Sequence, residues 1–314
     1  MTQAPHIGLL GKAPRHAEFV RHHAASPLAR YLFRWMEEST GRLHGARAAL
    51  PPAPASFVFT APGEGSVLVG LLVPSTDSVG RAFPLAVFQE LPAQEVAGRF
   101  ALLPEIHQPF LRASAQLLRE AASLDIPALQ ERAAKLPTAR PGDLRLAERL
   151  RESLLSEKRC TELLQHVTAG LPTDGRYYAL NTFLTACTGE RHREQALASV
   201  MLDCPYPSHM GPVTWLELAT RLLRWSSQPP SFFWSDAPQP RLLLCLGAAP
   251  PTLLLHLAQP TRSGNSVWPL RTEKPAAMEQ AKQSLSASQR QVIDSSHSTL
   301  EQLLRALAMK ERPS

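Results

Sequence analysis

Between Leu28 and Met36 the apolar residues fall at Leu28, Tyr31, Leu32, Trp35 and Met36, steps of three and four that trace one face of a helix. Arg30, Arg34, Glu37 and Glu38 occupy the opposite face. Ser26 stands where a side chain caps a helix, Pro27 suits the first turn, and Gly41 is placed to end it. Upstream, residues 7–10 are a short apolar piece that predicts a strand entering a loop at 11–14. After Pro51, Pro52 and Pro54 the period changes. Residues 56–60 read as a strand, Gly63 and Gly65 as a turn, and 66–73 as a strand apolar on both faces, the mark of a covered central position. Residues 83–88 predict a third strand. The connections between these pieces are too short for a helical crossover, so they pair antiparallel.

The chain then turns helical over 94–103, 107–123, 127–136 and 141–164, where Leu144, Ala147, Arg151 and Leu154 trace one stripe. Residues 177–185 fit either helix or strand. Residues 197–202 predict a strand, and 212–225 a helix with Trp215, Leu218, Leu222 and Trp225 on one side. Residues 231–234 and 241–246 predict two more strands. On alternation, half of the Phe232-Phe233-Trp234 cluster is buried and half exposed, with a core role favoured over a partner anchor. Residues 260–314 are polar, with Leu300, Leu303, Leu304 and Leu307 able to form a short amphipathic helix, and read as an appendage that is mobile or docked weakly.

Composition narrows the class. Apolar residues are 44% and charged residues 19%, a balance that supports a sizeable core and argues against disorder. Proline outnumbers glycine 29 to 16, which predicts stiff loops. The net charge of +6 is scattered, without the basic run of a nucleic-acid binder. Cys160, Cys187, Cys204 and Cys245 form no Cys-x-x-Cys pair and are too few for a stapled secreted scaffold. No apolar h-region opens the chain, and its greasiest stretch, 242–258, is broken by Gly247, Pro250 and Pro251. These features predict a cytoplasmic protein with free thiols.

Catalytic patterns fail one by one. Gly11-Lys12 resembles the end of a phosphate-binding loop, but His6 stands at the first glycine position and Ala13 at the hydroxyl position. Gly63-Glu64-Gly65-Ser66 is not a nucleophile elbow. His16, His22 and His23 lack a carboxylate at ligand spacing, and Cys204 with His209 is an isolated pair, so neither a metal nor a cofactor is predicted. Ser75 and Asp77, just past the central strand, could serve a hydrolase if folding brought a histidine such as His107 near. The plainer reading is structural: Ser75 caps the loop, Gly80 permits its turn, and Asp77 pairs with Arg81.

Three stretches together resemble one family. Gly11-Lys12-Ala13-Pro14 with Glu18-Phe19-Val20 is similar to the opening Gly-Lys-Leu-Pro-Ser-x-Gly-Asp-Phe-Val of TagF, an accessory protein of bacterial type VI secretion systems. Residues 74–85, Pro-Ser-Thr-Asp-Ser-Val-Gly-Arg-Ala-Phe-Pro-Leu, resemble that family's Pro-Ser-x-Asp-x-Val-Gly-Arg-x-Phe-Pro-Leu at every fixed position. Phe233-Trp234 and 242–245 resemble its second half more weakly. Ala13, Arg15, Ala17 and Glu18 depart from the first motif. The resemblance implies a three-layer α/β/α sandwich with a mainly antiparallel sheet and a helix-rich second half. On this reading residues 1–125 are the TagF-like region, 126–259 a second half packed on the same domain, and 260–314 the polar tail. It implies a non-enzymatic post-translational repressor whose partner is a forkhead-associated (Fha) scaffold protein of the secretion apparatus. The loop residues it marks are Gly11, Lys12, Pro14, Glu18, Phe19, Pro74, Ser75, Asp77, Gly80, Arg81, Phe83 and Pro84. A structural subunit of the apparatus and, less favoured, a hydrolase using Ser75 are the alternatives.

Overall fold

The computed structural model describes residues 6–191, 200–223, 230–262, 264 and 266–309. Strands β1 (Ile7–Lys12) and β2 (Phe19–His22) precede helix α1 (Pro27–Gly45), followed by β3 (Ala55–Phe59), β4 (Ser66–Val73) and β5 (Leu85–Pro92). A helical run comes next: α2 (Ala93–Val96), α3 (Leu103–Ile106), α4 (Gln108–Glu120), α5 (Ile126–Ala134), α6 (Pro141–Glu157), α7 (Cys160–Val167) and α8 (Gly175–Arg191). The chain continues through β6 (Val200–Pro205), α9 (Val213–Leu223), β7 (Phe232–Ser235), β8 (Arg241–Leu246), α10 (Leu253–Ala258), β9 (Val267–Pro269), α11 (Pro275–Ser284), α12 (Ala287–Asp294) and α13 (Leu300–Ala308).

The strands form a single sheet in the order β2-β1-β5-β4-β3-β7-β8-β6-β9. Every neighbouring pair is antiparallel except β6 with β9. The α/β class, the mainly antiparallel sheet and the helix-rich second half match the sequence expectation. β4 shows why its pattern is apolar throughout. Val67, Val69 and Leu71 enter a core shared with α4, α7, α8, α9 and α13, while Leu68 and Leu72 enter a second core shared with α1 and α10. A strand covered on both faces has no polar positions to alternate with.

The halves of the sheet meet where β3 pairs with β7, Phe57 opposite Phe233. Ser231 bolts this seam: its hydroxyl accepts from the Thr60 amide at 3.0 Å and lies 3.1 Å from the Thr60 carbonyl, to which it donates. Because β7 is interior and covered on both sides, Phe232, Phe233 and Trp234 are all buried. That corrects the expected half-exposure of this cluster, which holds only for a strand with one wet face.

Several boundaries also moved. Ser26 does cap α1, accepting from the Ala29 amide at 3.1 Å, but the helix runs past Gly41 to Gly45 because Leu43 extends the buried stripe. The predicted 141–164 helix divides into α6 and α7. At the break the Cys160 amide donates to the Ser298 carbonyl and the Leu300 amide to the Lys158 carbonyl, at 2.9 and 3.0 Å. Residues 177–185, open between helix and strand, lie in α8. Trp225 and residues 197–199 lie outside the described residues.

Those two bonds at the break involve the stretch expected as a weakly docked tail. β9 instead joins the sheet beside β6, and Leu300, Leu303, Leu304 and Leu307 of α13 are all buried in the main core. Arg221 of α9 reaches Glu301 through two hydrogen bonds, 2.6 and 3.2 Å. Leu303→Ala should therefore cost about 2–5 kcal/mol in urea unfolding, as for other deep core truncations; an unchanged midpoint would mean the C-terminal helices are peripheral.

Candidate functional site

The two motifs read from the sequence meet at one end of the sheet. Residues 74–84 connect β4 to β5, and β1 pairs with β5 so that Gly11 faces Leu85. This register brings Lys12, the last residue of β1, beside the connection. Lys12 is only 3% exposed, so its ammonium needs partners inside the protein. It has three: the Asp77 carboxylate at 3.0 Å, the Ala17 carbonyl at 2.6 Å, and the face of the Phe19 ring, 4.2 Å from its centroid.

Asp77 is the hub. Its Oδ2 receives Lys12 and the Arg81 Nε, the latter at 2.7 Å. Its Oδ1 accepts the backbone amides of Val79 and Arg81 at 3.0 and 2.9 Å. Burial alone would push this carboxyl up. The Arg81 amide, the Lys12 ammonium, the Arg81 guanidinium and the Val79 amide outweigh burial and hold it well below the usual carboxylate range. The Arg81 guanidinium also donates to the Ala17 carbonyl, so that single oxygen joins both motifs. Since a backbone atom makes the contact, the departure from the family's glycine at Ala17 leaves the link in place.

Backbone geometry completes the brace. Gly80 has φ +87° at the turn, and its amide donates to the Asp77 carbonyl at 3.1 Å. Gly11 has φ +128°, and a Cβ there would lie 2.0 Å from the Pro84 carbonyl oxygen, so only glycine permits this approach. The Phe83 amide donates to the Ser75 carbonyl at 3.0 Å, and the Ser78 amide to the His16 carbonyl at 3.3 Å. Phe83 is buried against Phe19 and Phe33, with ring centroids 5.0 and 5.9 Å away. Pro84 is buried, Pro14 half-buried, and Pro74 and Glu18 exposed.

Ser75 does not take the capping role predicted for it. The side chain that accepts the loop's amides is Asp77, and no hydrogen bond of the Ser75 hydroxyl occurs among the described residues. Among the loop's exposed side chains the large apolar one is Val79, at the tip, 65% exposed.

His107, the base a hydrolase reading requires, stands instead at the head of α4, 3% exposed, and its Nδ1 has no hydrogen-bond partner. Burial pushes its imidazole down to about 4, against a smaller upward pull from Asp143. No imidazole hydrogen-bonds Ser75 among the described residues, so the nucleophile and base are not assembled. A second polar cluster escaped the sequence reading. Asp203 Oδ2 lies 2.9 Å from His256 Nε2 and 3.3 Å from Arg241, tying α10 to β6 and β8. Its one signal was a carboxylate within the apolar run of β6. The far nitrogen of His256, Nδ1, has no partner, so the pair is not extended into a relay. Among the described residues no group of three His, Cys, Asp or Glu is arranged to hold a metal ion.

Comparison with known proteins decides what these motifs belong to. Residues 8–136 match the family model of the TagF N-terminal domain, type VI secretion system-associated. This part of the chain is a TagF N-terminal domain. The TagF domain thus spans β1 to β5 and α1 to α5 and contains the whole Asp77 network. The chain is also similar to the crystal structure of PA0076 from Pseudomonas aeruginosa PAO1, with 18% identity and a TM-score of 0.47, over 84% of this chain and 99% of that one. No curated protein matches the chain in sequence. No helix among the described residues is long and apolar enough to cross a membrane.

Two measurements check the site. Asp77→Asn should lower the Tm of the TagF domain by several degrees at neutral pH, because it strands Lys12 beside a neutral amide. The native carboxyl titrates below its unfolded value near 3.9, so its contribution is complete above that pH and is lost as pH falls further. The gap between wild type and variant should therefore narrow below about pH 4; a pH-independent gap would contradict the ionised hub. For His107 the folded imidazole refuses a proton that the unfolded chain accepts below about 6.5. Stability should fall by about 3 kcal/mol from pH 6.5 to pH 4 on this account, and His107→Leu should flatten that slope. An unchanged slope would count against it.

Proposed function

We propose that the protein is a cytoplasmic, non-enzymatic repressor of a type VI secretion system that acts by docking a forkhead-associated scaffold protein through the 74–84 loop. The observation that carries this reading is the Asp77 network. The loop's carboxylate is turned inward, onto Lys12, Arg81 and backbone amides, while Val79 is held outward. A carboxylate saturated by four donors is unsuited to acid–base work, and a pre-ordered apolar tip binds with little loss of freedom. The family of the TagF domain supplies the secretion context.

Deleting the gene should raise secretion, and the purified chain should retain the scaffold in a pull-down. Val79→Asp should leave the Tm unchanged yet lower scaffold binding by on the order of tenfold, as loss of an interface anchor does. Failure of the intact chain to retain the scaffold would reject the proposal. Loss of secretion on deletion would favour a structural part of the apparatus instead.

A further inference from the structure

Beside the braced loop lies a groove of about 500 Å³ between the C-terminal ends of α1 and α4. Its apolar lining includes Leu43, Leu50 and Phe83. The charges around it are one-sided. Exposed Arg119 and His44 line it, and no Asp or Glu does. More cations flank it: exposed Arg42 and Arg47 adjoin the α1 wall, and exposed Arg15 bonds the Ser123 carbonyl at 3.2 Å, next to Ala121 and Ala122 of the opposite wall. The two carboxylates adjoining the lining in sequence are already neutralised. Asp77 is held by Lys12 and Arg81, and Glu120 by Arg132 and Gln116.

Building on the docking reading above, we infer that this groove receives an acidic, apolar segment of the partner protein, whose apolar side chains seat on Leu43, Leu50 and Phe83 and whose carboxylates meet Arg119 and the flanking Arg42 and Arg47. A basic segment would face these cations unpaired, and a wholly apolar one would leave them unanswered. The occupant is thereby fixed by charge as well as by shape.

The test uses the full chain and two probes. The first is a labelled short peptide alternating leucine with aspartate, compared with its leucine–lysine counterpart. The aspartate form should bind on the order of tenfold more tightly, a preference weakened by salt and reversed by H44E/R119E. Both substituted residues are exposed, so an unchanged Tm certifies folding. Equal binding of the two peptides, or lysine preference, would overturn the inference. The second probe is the intact scaffold. Retention of the scaffold by wild type and loss by H44E/R119E supports the groove; equal retention by both overturns it while leaving loop docking intact. If wild type does not retain the scaffold, the docking reading fails and the peptide comparison alone decides the groove.

Discussion

A single buried carboxylate sets the shape of this end of the molecule. Asp77 sits where three segments would otherwise separate: the end of β1, the 13–18 loop and the β4–β5 connection. Lys12 is 3% exposed and would be a destabilising charge without it. In turn Asp77 would be destabilising without Lys12, Arg81 and two loop amides. Each partner is thus the condition for the other's burial, and the loop has one arrangement that satisfies both. The Ala17 carbonyl, bonded by both cations, draws the third segment in.

That local constraint rests on a larger frame. β4 and β5 are interior strands with helices over both faces, so the ends of their connection are fixed by packing before any polar contact forms. The remaining strands extend the same sheet through the Phe57–Phe233 pairing and the Thr60–Ser231 bonds. The C-terminal helices close the core on the far side, with α13 clipped across the α6–α7 break. Rigidity behind the loop and exposure at its tip are therefore two results of one architecture.

Much of this was legible in the sequence, for a physical reason. The β3–β4–β5 run and α1 are local elements whose periodicity is set by what they bury, and the Asp77–Arg81 pairing lies within one turn. The misreadings concern non-local packing. Phe232–Trp234 alternates as an edge strand would, but its burial depends on β3 and β8 arriving from distant parts of the chain. The 260–314 stretch is polar on average, yet a few leucines spaced along α13 suffice to anchor it. Gly41 would end an isolated helix, but Leu43 and its packing carry α1 onward. Lys12 belonged to a recognisable motif, yet its contact with Asp77 crosses 65 positions, and no local pattern encodes such a pair. The Asp203–His256–Arg241 cluster, drawn from three separate elements, was hidden for the same reason.

The most direct measurement of the central claim is amide hydrogen exchange at Val79 and Arg81, the two backbone donors to Asp77. Both sit in an exposed turn and would exchange freely if the carboxylate did not hold them. Strong protection in the native chain, abolished by Asp77→Ala, which removes the acceptor, while the β4 amides stay protected, is the result this account predicts. Rapid exchange at both amides in the native chain would contradict it.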